Sequence, residues 1–599
     1  MATRTFGWVQ NPGDLKKLKK VVGIFKVGSA ENTWLVNTRL PLLLQYKLIS
    51  PADFKLFCTE LSKSSIEIDY SILKGKGSGA GSRKDALCTG IIQAVIDAQK
   101  NQTYIDAAGA SVTMKKPYTD DWSAEGYIRW AISCGLLKYI KAEDKCKITA
   151  LGEKLAAAAD DSRQEKEVLA EALLSYPPVI RILTLLNRQD NQTKFDLGSK
   201  LGFKGELGFT SIPQAVYLCD YGEAMTAKDR ADVRSNDEGD SDKYARGIAS
   251  WLIQMGWIKT SNKEVTEIYR GHSYTASLQT YSITRAGEKA LIKAKGNSSN
   301  PRLPRVVLFE MLASNKAPGS DYMRYQRACI LKAFSAAEKT LEQLQNGLKG
   351  YGLDMDTDAI KDNIEGLISI GIDIVVTGNR YKLLDKIAGL EVPARSACIK
   401  DDVNDIKDRV RGKLKTLDHK YLVLIDLAYS DASSRTRKNA DAREFEIQTA
   451  ELFTKELSFE GMRLGDSGRP DVIVSYDVHG TIIDNKSYKD GFSIDKHCAD
   501  EMGRYINENQ QRLPGIPANE WWKEFDSKVT GYTFLFITSY LKGQFEKQLE
   551  YISQTHFGMK GAAIGVESLL YFSEGIKSGR LTHNDFYNSF DNKEMVFMP

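Results

Sequence analysis

Two carboxylates and an amine stand close together late in this chain. Asp471 follows Arg469-Pro470, and Asp484 precedes Asn485-Lys486, with twelve residues between the two aspartates. Val472-Ile473-Val474 and Thr481-Ile482-Ile483 are apolar, β-branched runs, and Tyr476-Asp477-Val478-His479-Gly480 between them supplies a turn. If the runs pair as a hairpin, Asp471 starts one strand as Asp484 ends the other. Paired carboxylates at one strand end make a hard-oxygen site suited to Mg²⁺. Lys486, two residues past Asp484, projects to the same face of its strand. This is the PD-(D/E)-x-K arrangement of metal-dependent nucleases, in which the metal steadies charge on a phosphate and the amine positions the attacking water. The bland reading stands beside it: Asp and Lys are common at strand ends, and so short a pattern arises by chance in many chains.

The elements that must position such a site are partly legible. Phe445 to Leu457 reads as a helix, followed by the hairpin at 471–486, a helix near 499–511, and the apolar strand Tyr532-Thr-Phe-Leu-Phe-Ile-Thr538. Helix, strands, helix and strand give an α/β layer fold of the restriction-endonuclease type. Asp401 to Leu417 is strongly charged and reads as helical.

Upstream, an internal repeat organises the chain. Trp130-Ala-Ile-Ser-Cys-Gly135-Leu-Leu-Lys138 precedes Ile148-Thr149-Ala-Leu-Gly152-Glu153-Lys154. Trp251-Leu-Ile-Gln-Met-Gly256-Trp-Ile-Lys259 likewise precedes Ile283-Thr284-Arg-Ala-Gly287-Glu288-Lys289. Each reads as an amphipathic helix stopped by Gly, a strand, a loop, a second strand and another helix, the order of a winged helix. A looser third copy runs from Ile364 to Gly371, then through a strand, the turn Thr377-Gly378-Asn379 and Tyr381-Lys382-Leu383. Leu341 to Lys349 before it, and Lys194 to Gly198 in the second copy, fit the preceding helix of a helix-turn-helix. Such modules usually place one helix in the major groove of DNA, although some serve only protein contacts. The divisions expected are 1–162, 163–298 and 299–385 for three winged-helix-like units, a linker over 386–400 with Gly389, Pro393 and Ser396, and 401–599 for the PD-(D/E)xK domain. The fold class is multidomain, α+β followed by α/β.

Composition sets outer bounds. A chain of 599 residues with 42% hydrophobic and 27% charged content is an ordinary globular protein of several domains. No apolar run approaches the length of a membrane span, and Met1 to Gly7 lacks the pattern of a signal peptide. Eight cysteines scattered without a Cys-x-x-Cys argue for reduced thiols and against structural zinc. The net charge of +4 is uneven: residues 1–400 carry 56 Lys+Arg against 46 Asp+Glu, residues 401–599 carry 26 against 32. A basic front suits a polyanion, and an acidic back would need to be delivered to one.

Several long strings carry a family likeness. Arg4-Thr-Phe-Gly-Trp-Val-Gln-Asn-Pro-Gly13, Ser175-Tyr-Pro-Pro178, Lys194-Phe-Asp-Leu-Gly198, Ser241-Asp-Lys-Tyr-Ala-Arg246, Arg469-Pro-Asp471, Ala499-Asp-Glu-Met502 and Asn519-Glu-Trp-Trp-Lys523 stand in unchanged order. Through them the chain resembles the FokI family of type IIS restriction endonucleases from end to end. The resemblance implies a reader of three winged-helix-like units that binds an asymmetric duplex sequence, 5′-GGATG-3′ in the family. A nuclease then cuts both strands at a fixed distance downstream and leaves 5′-phosphates. It also implies a bacterial cytoplasmic protein with no membrane partner, and a companion methyltransferase that protects host sites without being a stable subunit.

Residue by residue, Asp471, Asp484 and Lys486 match the family's catalytic set, with Mg²⁺ on the two aspartates. Asn485 replaces the family's Thr, on the opposite face of the strand. Glu446 is a weaker metal candidate, with an exposed helical Glu as its bland reading. Asp500 and Arg504, one helical turn apart, match the contacts through which two cleavage domains pair; the alternative is an intrahelical ion pair. For base reading the resemblance points to Gln10, Asn11, Arg83, Trp122, Asn236, Glu238, Lys243 and Arg246. Gln and Asn suit adenine, Arg and Lys suit guanine, and Glu accepts from cytosine N4. The Gly75-Lys-Gly-Ser-Gly-Ala-Gly81 loop before Arg83 is not a phosphate-binding loop, because no Gly-Lys-Ser/Thr follows at the required spacing. Ser235 stands for a family Asn, Asp237 for a Trp, and extra residues around 107–118 precede Trp122, so the target sequence is less secure than the chemistry. The rivals are a winged-helix DNA-binding regulator with a silent nuclease fold, and a nicking enzyme without a productive dimer.

Overall fold

The computed structural model describes the chain except residues 1–5, 11, 46, 48, 75–100, 106–107, 116–120, 270, 298–299, 318, 335–336, 399, 433–434 and 466–467. Three small antiparallel sheets with one shared strand order occupy the first two thirds. Glu67–Asp69, Lys145–Ile148 and Leu137–Ile140 form the first; Gln192–Thr193, His272–Ile283 and Ile258–Tyr269 the second; Lys339–Thr340, Arg380–Leu383 and Ile374–Thr377 the third. In each, a short leading strand pairs with the second wing strand, which pairs with the first. The expected helix-and-wing repeat is therefore present three times.

The repeated Ile-Thr-x-x-Gly string has a local cause. Thr149 accepts from the Gly152 amide at 3.1 Å and donates to the Leu136 carbonyl at 3.0 Å. Thr284 does the same with Gly287 (3.2 Å) and Trp257 (3.0 Å). The threonine thus caps the last helix and ties it to the residue where the wing begins. A Cβ at Gly152 or Gly287 would lie 2.1 Å from that same carbonyl, so only glycine permits the approach. The equivalent tryptophans of the first two copies, Trp130 and Trp251, are both fully buried and stack on each other with centroids 4.4 Å apart. The N-terminal segment threads this seam: the indole of Trp251 donates to the Pro12 carbonyl (2.7 Å) and Tyr176 to the Gly7 carbonyl (2.7 Å).

The stretch read as a linker is not wholly free of pairing. Ile387–Ala388 lies parallel to Arg305–Val306, and Arg305, fully buried, spreads its guanidinium over the carbonyls of Leu174, Leu303 and Ala294.

The last third is one mixed six-stranded sheet. Its strands are β1 (Glu460–Arg463), β2 (Val472–Tyr476), β3 (His479–Lys486), β4 (Gly531–Thr538), β5 (Gly561–Gly565) and β6 (Lys593–Met595), hydrogen-bonded in that order. The first three are antiparallel and the rest join in parallel. Helices α1 (Arg435–Glu451), α2 (Lys496–Gln511), α3 (Phe545–Thr555) and α4 (Val566–Lys577) cover it. Val472, Val474 and Ile483 point into the core beside α1 and α4, whereas Ile473 and Ile482 point into a second core with α2 and α3. This alternation is the expected signature of a sheet buried on both faces.

The two halves are docked. Lys407 reaches the Gly205 carbonyl (2.9 Å), and Asp426 accepts from the Leu207 amide (3.0 Å). His419 and Arg411 meet Asp362 at 2.5 and 3.3 Å, and Lys415 meets Asp358 at 2.7 Å. From α1, Arg443 pairs with Asp220 (2.7 Å) and Asp237, while Ile447 packs with Phe195, Ile212 and Tyr217. Among the described residues no single helix is long and apolar enough to cross a membrane, and the described cysteines are free thiols.

Candidate active site and DNA-reading face

The hairpin forms as the sequence implies, with Tyr476 opposite His479 and Val472 opposite Ile483. Asp477 takes the left-handed backbone of the tight turn (φ +53°). One more step in that register brings Asp471 beside Asp484. Both aspartates and Lys486 lie on the α2 side of the sheet with Ile473 and Ile482. Asn485 points the other way, donating to Thr449 of α1 at 3.2 Å.

Asp471 accepts from the backbone amide of Asn485 at 2.7 Å. The Lys486 ammonium sits 2.8 Å from Asp484 Oδ2. That oxygen is buried and meets Lys486 as a close ion pair. Burial, then Asp484, then Glu446 hold the Asp471 carboxyl well above the usual carboxylate range. Burial raises Asp484 as well, with Lys486 opposing. For Lys486 burial works against the charge, but Asp484 and Asp471 outweigh it and keep the ammonium protonated beyond its ordinary range. Crowded, desolvated carboxylates of this kind mark functional sites more often than structural ones.

Among the described residues no three His, Cys, Asp or Glu side chains form a ready metal cage. Two carboxylates still fit a magnesium ion, which keeps much of its shell as water and phosphate oxygens. The burial that raises both acids, and the Asp484 charge that raises Asp471 further, are what a divalent cation would relieve. Glu446 departs from its bland reading, since it is half-buried and takes the Arg463 guanidinium at 2.8 Å. Its charge acts on Asp471 from the far side of the sheet.

On α2, Asp500 is exposed, and Arg504 does not fold back onto it. The Arg504 guanidinium donates to the Gly468 carbonyl (3.1 Å), meets Glu508 at 3.2 Å, and lies over the Tyr505 ring at 4.5 Å. Sequence reasoning missed Glu501 in this helix, whose carboxylate lies 3.6 Å from the Lys486 ammonium. No spacing rule joins a strand end to the next helix across a loop.

The reading candidates divide. Asn11 and Arg83 lie outside the described residues. Trp122 falls in the helix Asp121–Ser133, with its side chain outside them. Gln10 donates to Asp240 at 3.3 Å. Asn236 ends the helix Ala227–Asn236 in solvent, and Lys243 is half-buried. Glu238 is buried and held twice, by Lys194 at 2.5 Å and by both arms of Arg246 at 2.9 and 3.1 Å. Lys194, over the rings of Phe195 and Tyr217, was not singled out in the sequence.

Four family descriptions match in succession: FokI recognition domain subdomain 1 over residues 4–158, subdomain 2 over 165–299, the FokI D3 domain over 312–379, and the FokI cleavage domain over 400–596. The chain is 38% identical over 605 residues to the type II restriction enzyme FokI of Planomicrobium okeanokoites, covering 99% of each. The chain belongs to the FokI family of restriction endonucleases. It is also 29% identical to the type II restriction enzyme StsI of Streptococcus sanguinis, over 96% of this chain and 93% of that one. Solved structures of FokI alone and of FokI bound to DNA superpose with a TM-score of 0.86 at 37% identity, over 99% of this chain and all of theirs. The FokI-family architecture of recognition subdomains followed by a cleavage domain is thereby established for this chain.

Proposed function

We propose that this chain is a type IIS restriction endonuclease. It binds a short asymmetric duplex sequence, taken to be GGATG, through residues 1–385 and cuts both strands at a fixed distance downstream with the domain 401–599. The observation that carries the reading is the convergence of Asp471, Asp484 and Lys486 on one face at one strand end, in a chain of the FokI family.

Asp471 and Asp484 would hold Mg²⁺, which supplies charge stabilisation at the phosphate and a more acidic water. Lys486, kept protonated by its two neighbours, donates to the attacking water or to a non-bridging phosphate oxygen and so orients in-line attack. Ile473, Ile482 and the apolar face of α2 keep bulk water from the underside of the site, where fixed charges act more strongly. The scissile P–O bond breaks so that the phosphate stays on the 5′ end.

One such site cuts one strand at a time, so two cleavage domains pair transiently for a double-strand break. Exposed Asp500 and half-exposed Arg504, unpaired with each other in the single chain, support a two-fold contact between copies. Base reading is assigned to Gln10, Asn11, Arg83, Trp122, Asn236, Glu238, Lys243 and Arg246. The chain is read as a bacterial cytoplasmic enzyme accompanied by a methyltransferase. Asp471→Ala and Lys486→Ala are each expected to reduce cutting of a supercoiled plasmid by at least about 10³-fold, a range typical for loss of a positioned charge at a reacting phosphate. Both should leave the gel-shift affinity for a target duplex unchanged. Loss of binding in those variants would contradict the division of labour.

A further inference from the structure

We propose that Glu501 is a positioning residue that takes the ammonium of Lys486 over from Asp484 when Asp484 turns to a divalent cation. The inference rests on the metal-dependent reading above and assigns a group that reading does not use.

In the structure Lys486 is paired with Asp484 Oδ2 at 2.8 Å, and that oxygen is buried. An ion that binds there must compete with that ammonium. A buried amine left without a counter-charge is costly, so a second carboxylate within reach decides whether the exchange is feasible. Glu501 is that carboxylate, 3.6 Å from the same nitrogen. It comes from α2, a different element from the strand carrying Asp484 and Lys486, so its position does not depend on where Asp484 points.

Glu501 is also held in place. Its other oxygen lies 3.2 Å from the Tyr505 hydroxyl, one turn along the helix, whose single proton is shared between that carboxylate and the Arg469 carbonyl at 2.7 Å. Tyr505 is buried, so the Arg469-Pro470-Asp471 turn, α2 and Glu501 are fixed to one another. A shift of Lys486 by about one ångström would exchange a 2.8 Å partner for a closer Glu501, with no rearrangement of backbone. After the exchange Asp484 faces the cation and the ammonium faces the phosphate.

The test is a double-mutant cycle on the full chain without DNA, reading Mn²⁺ affinity by electron paramagnetic resonance. Glu501→Gln is expected to weaken Mn²⁺ binding about tenfold, within the coupling range of adjacent charged groups. In a Lys486→Ala background the same change should cost about twofold or less, the remainder being the through-space effect of one lost charge. Equal losses in both backgrounds would overturn the proposal, since Glu501 would then act on the ion directly or only through space. An unmoved affinity in the Lys486-containing chain overturns it as well. An affinity unmoved by Asp484→Asn too would sink the metal reading itself, and this inference with it. Cutting supplies the second readout: Glu501→Gln should lower kcat with target-duplex affinity unchanged, and Glu501→Asp should recover part of it.

Discussion

The cutting and reading halves hold their charged residues in opposite ways. At the strand ends of the cleavage domain, Asp471, Asp484 and Lys486 are fixed by one sheet and by the register of a two-residue hairpin. In the recognition half, Glu238 is fixed by ion pairs to Lys194 and Arg246, side chains that base reading as proposed would require it to give up or share. In the cleavage domain the strand backbones set where the charged side chains stand before any substrate arrives, whereas on the recognition side the charged contacts themselves do the holding. The docking between the halves adds an inversion. The cleavage domain is net acidic and the reader net basic, yet most of the ion pairs between them run the other way, with Arg411, Lys415 and Arg443 of the acidic half on Asp362, Asp358, Asp220 and Asp237 of the basic half; Lys204 with Asp418 runs the expected way.

The largest effect on binding is expected at Arg246. Its side chain is half-exposed and spans Glu238, so Arg246→Ala is expected to cost about 1–3 kcal/mol of target affinity, roughly 10- to 100-fold, and to relax one guanine position. The cutting rate of the bound complex should stay within a factor of about two. Parallel loss of kcat would mean that the two halves are not separable.

Asp500→Ala addresses the pairing of cleavage domains. Linear product from supercoiled plasmid is expected to fall about tenfold relative to nicked circles, one charged contact being worth that order. Raising the protein concentration should restore it. An unchanged ratio would remove α2 from the interface.

A smaller effect is expected at the docking contact. Arg443→Ala removes two ion pairs, worth about 2 kcal/mol for hydrogen bonds to charged groups, and should raise the susceptibility of the 386–400 stretch to proteolysis without DNA. Glu444 on the same helix gives the contact a pH dependence. Burial pushes its carboxyl from 4.5 up to about 8, with the reader's Asp242 and Asp240 adding to the rise. The docked form therefore holds the proton better than the released form does. The Glu444 contribution to docking should be full below about pH 4.5, fall as pH rises toward 8 and level off above it. Small-angle scattering across that range measures the released fraction, and compaction that increased with pH would contradict the sign.

Much of this was legible in the sequence because it is local. Thr149-x-x-Gly152 and Thr284-x-x-Gly287 announce a helix start that must touch the wing, and alternating apolar runs announce the hairpin. What escaped is long-range or contextual. Arg443 with Asp237, Lys194 with Glu238 and Lys486 with Glu501 each join elements that no periodicity connects. Strand β5, Gly561-Ala-Ala-Ile-Gly565, reads as nothing by propensity. It is extended because it pairs in parallel with β4 on one side and β6 on the other, and Gly561 lets it lie against the ring of Phe534, where a Cβ would be 2.0 Å away. The wing of the second unit runs twelve residues per strand with most of its first strand exposed, so no buried face marked its length. Ile387–Ala388, inside the expected linker, pairs with Arg305–Val306 far back in the chain, a partner no local pattern points to.

On the proposed function one chain recognises DNA at one place and cuts it at another. Digestion of a randomised duplex library by the purified protein with Mg²⁺, followed by sequencing of every new end, tests it most directly. Ends with 5′-phosphates at one fixed distance from a shared asymmetric motif are the predicted result. Ends inside the motif, or ends with no motif in common, would contradict it.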